Sequence, residues 1–136
     1  MEKLIEAVKL SEGFRDKVYK DTLGIDTIGY GFAIKDLVLE EDICDIILDR
    51  KLKDLISKVD KKFPFVKGLP EKGREVVYEM CYQLGVNGFS KFKRTISYLQ
   101  LGDYSSASRE MLESKWHRQT PNRSQRLSDI IYSLEG

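Results

Sequence analysis

The sequence predicts an α+β protein, mainly helical, with one small β-hairpin segment near the N-terminus. Two observations predict it. A glycine-punctuated stretch from Val18 to Phe32 carries β-branched and aromatic residues, and most of the remaining chain spaces its apolar residues at helical intervals. A length of 136 residues, 41% apolar and 33% charged content fit one soluble domain, 1–136, large enough to bury a core.

The elements follow in order. Leu4, Ile5 and Val8 form an apolar stripe among Glu2, Lys3, Glu6 and Lys9, which predicts a first helix. Gly13 suits the positive-φ residue that stops it, so Glu12 falls in its last turn. Val18 and Tyr19 favour a strand, Asp21 to Gly24 a turn, and Thr27 to Phe32 a second strand. Strand alternation over 27–32 puts Ile28, Tyr30 and Phe32 on one face and Thr27, Gly29 and Gly31 on the other.

Glu40, Glu41 and Asp42 load the favourable end of a long helix over 40–60, whose stripe runs from Ile43 to Val59. Phe63-Pro64-Phe65 and Gly68-Leu69-Pro70 interrupt the helical pattern. Helices are then expected over 71–84, with Val76, Val77, Met80, Cys81 and Leu84 inward, and over 91–101 and 104–112. Thr120-Pro121 predicts a last helix start, with a hydroxyl N-cap and proline in the first position.

The candidate chemistry lies at the first helix end and the hairpin. Eight residues separate Glu12 from Asp21, and five separate Asp21 from Thr27. A carboxylate in a last helical turn opposes the helix dipole by roughly 0.3–1 kcal/mol, which suits a proton donor. The face of Thr27, Gly29 and Gly31 has almost no side-chain bulk, so a ligand can approach its backbone. Two carboxyl groups flanking a gap, with a hydroxyl beside one of them, form the constellation that glycosidic hydrolysis requires.

The Glu12, Asp21 and Thr27 pattern, followed by Ile28-Gly29-Tyr30-Gly31, resembles that of phage-type lysozymes, the endolysins of glycoside hydrolase family 24. Ser114-Lys115-Trp116-His117-Arg118-Gln119-Thr120-Pro121-Asn122-Arg123 is similar to the C-terminal motif of that family. Tyr82-Gln83-Leu84-Gly85 with Gly88 and Phe92 also fits. The resemblance implies a lysozyme-like fold: a small β lobe over 13–38, a connecting helix over 40–60, and a helical lobe over 63–136 joined by helix 1–12. It implies a muramidase that cleaves the β-1,4 bond between N-acetylmuramic acid and N-acetylglucosamine with inversion, in host-cell lysis. Glu12 would be the acid, and Asp21 and Thr27 would hold the water. Arg123 would pair with Glu12, and Tyr82, Gln83 and Thr95 would line the substrate cleft.

Two departures stand out. Phe32 occupies a place where many relatives carry histidine, which removes an ion pair there. The stretch from Phe32 to Leu39 is also short for the family, which implies a cleft more open on that side.

Other features narrow the partners. Residues 1–62 carry a net charge of −2 and residues 63–136 a net +3, a mild bias that suits an anionic cell wall. No basic run is strong enough for nucleic acid. Cys44 and Cys81 sit among apolar helical neighbours and are expected as two buried free thiols. With His117 the only histidine, a Cys/His metal site or a Ser-His or Cys-His nucleophile is not expected, nor is a cofactor. Trp116 is expected in the core rather than on sugar.

The N-terminus shows no apolar run of signal or anchor length, so no membrane insertion is expected. A monomer that accumulates in the cytoplasm and meets peptidoglycan glycan strands after a holin opens the membrane is what the family implies. A binding module without catalysis and a lytic transglycosylase are the alternative readings. The complete Glu12, Asp21 and Thr27 set disfavours both.

Overall fold

The computed structural model describes residues 1–135 and divides into two compact units, 1–45 and 46–136. In the first unit, helix α1 (Glu2–Glu12) ends where Gly13 turns to φ 70° and donates its N–H to the Lys9 carbonyl at 2.8 Å. A three-stranded antiparallel sheet follows, ordered β1 (Arg15–Lys20), β2 (Asp26–Gly29) and β3 (Phe32–Ala33). Tyr19 pairs with Thr27, and Thr27 with Ala33, so Thr27 lies in the central strand. A 3-10 turn, Ile34–Asp36, comes next.

The expected single strand over 27–32 does not form. Gly29 and Gly31 both take positive φ, 69° and 75°, and reverse the chain around Tyr30. Ile28 therefore faces Phe32 across a tight hairpin rather than following it along one strand. Positive φ is nearly free for glycine, and hydropathy alternation carries no trace of it.

The grouping also differs from the expected one at the first helix. Helix 1–12 belongs to the same unit as the hairpin, and the division falls within the first turns of helix α2 (Glu41–Lys62).

Residues 46–136 build the apolar core. Pro64–Gly68 form a 3-10 turn between α2 and α3 (Glu71–Ser90). Helix α3 is broken at Gly85 (φ 79°, ψ 159°), directly after the expected end at Leu84. Then come α4 (Lys93–Leu101), α5 (Tyr104–Leu112), α6 (Lys115–Gln119) and α7 (Pro121–Ser133). Val76, Val77, Met80 and Cys81 are buried as expected, while Leu84 is partly covered.

Aromatic rings run through this core: Phe63 meets Phe89 edge-on at 5.4 Å, Phe89 stacks on Phe92 at 6.3 Å, and Phe92 meets Trp116 edge-on at 5.8 Å. Helices α5 and α7 approach closely because Ala107, Ser108, Ser124 and Ser128 are small and buried at their contact. The Ser128 hydroxyl donates to the Ser108 carbonyl at 2.9 Å, which satisfies both buried groups.

Two local expectations are corrected. Cys44 is exposed, because it faces outward at the start of α2; its thiol reaches the Leu39 carbonyl at 3.8 Å. Only Cys81 is buried, and burial pushes its thiol up to about 12. Thr120 precedes α7, but its hydroxyl does not cap that helix. It donates backwards to the Trp116 carbonyl at 3.1 Å, the end of α6, while Pro121 opens α7 as expected.

Candidate active site

The site is built first within residues 1–45. Asp21 opens the turn between β1 and β2. One of its carboxylate oxygens, Oδ1, accepts the backbone N–H of Leu23 and of Ile25, each at 2.8 Å. This is the Asx turn that an aspartate at a turn's first position makes, and the Asp21-Thr22-Leu23-Gly24 string carried its signal. The Gly24 N–H closes the turn on the Asp21 carbonyl at 2.9 Å, with Gly24 at φ 78°.

Thr27 is tied to the same turn. Its hydroxyl donates to the Ile25 carbonyl at 2.8 Å, so Ile25 holds both side chains through its two backbone groups. Thr27 is 3% exposed and is the one buried residue of the first 45. Its hydroxyl proton is committed to Ile25, which leaves the oxygen's lone pairs as acceptors.

Glu12 is seated by a glycine. A Cβ placed on Gly31 would fall on the Glu12 carboxylate, 2.8 Å from its Cδ. A Cβ on Gly29 would stand 2.7 Å from the Phe32 ring. The expected bare floor is thus occupied from within the unit: Gly29 makes room for Phe32, and Gly31 for the candidate acid itself. Phe14, Tyr30 and Phe32 line up beside it with ring separations of 5.4 and 6.3 Å.

The other candidate residues lie in 46–136. Arg123, in the first turn of α7, donates through Nε to Glu79 at 2.8 Å, and Arg126 donates to the same oxygen at 2.6 Å. Glu79 was not singled out from the sequence; 44 positions separate it from Arg123 and no local motif links them. Gln83 accepts the Trp116 indole N–H at 2.9 Å, which satisfies a ring otherwise 4% exposed. Tyr82 is half exposed beside Leu48, Leu52 and Ile56. Thr95 is buried in the first turn of α4. His117 bonds the Ser124 hydroxyl and links α6 to α7.

A family model described as phage lysozyme matches residues 9–129. The chain belongs to the phage lysozyme family. A Dictyostelium discoideum protein named probable T4-type lysozyme 1 is 28% identical over 155 aligned positions, covering 93% of this chain and 91% of that protein. The pre-baseplate central spike protein Gp5 of Enterobacteria phage T4 is 27% identical over 94% of this chain, which matches 27% of the spike protein's length. A SAR-endolysin of Bacteriophage PS119 is 35% identical over 83 residues, 57% of this chain and 48% of that protein.

The alignment to the Dictyostelium protein is longer than this phage lysozyme family member, so gaps fall within the present chain. Family membership supports a lysozyme-type glycosidase that acts on peptidoglycan. Among the described residues, no helix is long and apolar enough to cross a membrane.

Proposed function

We propose that this chain is a muramidase that hydrolyses the β-1,4 bond between N-acetylmuramic acid and N-acetylglucosamine, with inversion, during host-cell lysis. The observation that carries the reading is the pair of constraints on 1–45. Ile25 binds Asp21 and Thr27 into one turn, and Gly31 opens the space that the Glu12 carboxylate fills.

Glu12 gives its proton to the leaving glycosidic oxygen. The Asp21 carboxylate and the Thr27 oxygen accept hydrogen bonds from a water on the opposite face of the ring, and that water attacks the anomeric carbon. Asp21 also offsets the positive charge that develops there. Inverting carboxyl pairs stand about 6.5–9.5 Å apart, which leaves room for the water. Arg123 supports Glu12: its bond to Glu79 uses Nε alone, so its two terminal nitrogens remain as donors. The protein acts as a monomer, accumulates in the cytoplasm and reaches the wall through a separate membrane pore.

The test is to digest purified peptidoglycan and weigh the products. Reducing muramic ends, formed first in the inverted anomer, support the proposal. Anhydro ends would mark a lytic transglycosylase, and an uncut wall that still retains the protein would mark a binding module.

A further inference from the structure

A pocket of about 540 Å³ lies beside the starts of α4 and α6, with Leu84, Phe92 and Trp116 as its apolar lining. That volume is in the range of ligand sites, about 300–1,000 Å³. Lys91, Lys93, Arg94 and Lys115 also line it, against Glu110 and Glu113, so its rim is net positive. Lys91, Lys93 and Lys115 are exposed and form no ion pair among the described residues. Arg94 comes no closer than 4.0 Å to Glu110.

Two further features point into the same space. Helix α4 starts there with no side-chain cap and no acidic residue in its first turn, so its leading N–H groups lack intrahelical acceptors. Thr95, in that turn, is 98% buried by its 2% exposure and lines the pocket, yet its hydroxyl makes no hydrogen bond among the described residues. A buried hydroxyl without a partner is uncommon and fits a group that a ligand completes.

We infer that this pocket is a subsite for the free carboxylates of the peptide stem borne by the wall glycan. The inference rests on the peptidoglycan reading above and adds a stem preference to it. A stem peptide carries carboxylates, an amine on its diamino acid and short apolar side chains. The four cations match the carboxylates, Glu110 and Glu113 match the amine, and the Phe92 and Trp116 rings cover the apolar parts. A polyphosphate chain matches less well, since the two glutamates repel it.

Trp116 is the chain's only tryptophan and lines the pocket, so its fluorescence reports occupancy without turnover. The probe is an alanyl-γ-D-glutamyl-diaminopimelate tripeptide with free carboxylates, set against its amidated counterpart, on the full chain. The free acid is expected to shift Trp116 emission and to bind about 3- to 20-fold more tightly than the amide, losing that advantage in high salt. Lys93→Gln with Lys115→Gln, both exposed positions, should weaken the free acid by a similar factor and leave the amide unchanged.

Equal binding of the two peptides, unchanged affinity in the double variant, or tighter binding of polyglycerol phosphate than of the tripeptide would each overturn the inference. Failure of the muramidase reading would appear separately, in the products of the wall digest.

Discussion

Residues 46–136 hold the buried apolar side chains of this protein, from Val59 and Val66 through Phe89 and Met111 to Ile131. Among residues 1–45, by contrast, Thr27 alone is buried. The large unit is held by area removed from water. The small one is held by a strand ladder, an Asx turn, positive-φ glycines, and surface pairs such as Lys20 to Asp26 at 2.6 Å and Arg15 over the Tyr19 ring at 4.5 Å. The proposed acid, base and water-holding groups all lie in the unit without an apolar core. Hydrogen bonds and backbone geometry are directional, whereas burial is not. A site that must aim three polar groups is better served by the first kind of construction.

Glu12→Gln is the substitution with the largest expected effect on function. The amide keeps the shape over Gly31 but has no proton to give, so wall hydrolysis should fall about 10²- to 10⁴-fold. Folding should be unchanged by circular dichroism. Wall clearance near the wild-type rate by a folded variant would remove Glu12 from the mechanism.

The contrast in construction is tested by two phenylalanines. Phe89 is fully buried between Phe63 and Phe92, and Phe89→Ala should cost about 3–5 kcal/mol in urea unfolding. Phe14 is exposed and touches Tyr30, so Phe14→Ala should cost only about 0.5–1.5 kcal/mol. Equal losses would mean that the small unit also depends on apolar packing.

A pair of glycines separates strain from placement. Gly24 (φ 78°) and Gly31 (φ 75°) should each lose about 1–2 kcal/mol on change to alanine, because both sit in the left-handed region. A Cβ at Gly24 meets nothing within 4 Å, while one at Gly31 strikes Glu12. Gly31→Ala should therefore lose most of its hydrolytic rate and Gly24→Ala little. Similar activity in both would show that the seat of Glu12 is unimportant.

The mildest test counts thiols. Cys44 is exposed, and the Cys81 thiol is both buried and held near 12, far above a working pH of about 8. Ellman's reagent at that pH should titrate one thiol in the native protein and two in urea. Two fast thiols in the native state would place Cys81 nearer solvent than its packing allows.

Several elements were legible because their causes are local. The stop of α1 at Gly13, the Asp21 to Gly24 turn, the acidic start of α2, the break at Pro64 and the opening of α7 at Pro121 each follow from a residue and its immediate neighbours. The phage lysozyme family was legible in the same way, since its motifs are contiguous strings.

What the sequence alone determined, then, is the order of elements, the mainly helical class and the identity of the candidate acid, turn aspartate and threonine. The tertiary structure decided everything that depends on distant residues or on the sign of a backbone angle. It reversed the chain at Gly29 and Gly31, seated Glu12 over a glycine 19 positions away, turned Cys44 outward, drew the Thr120 hydroxyl back to α6 and tied Arg123 to Glu79. Hydropathy patterns record which residues prefer water, a property of single side chains. They do not record which polar partner a side chain meets, because only chain closure brings such partners together.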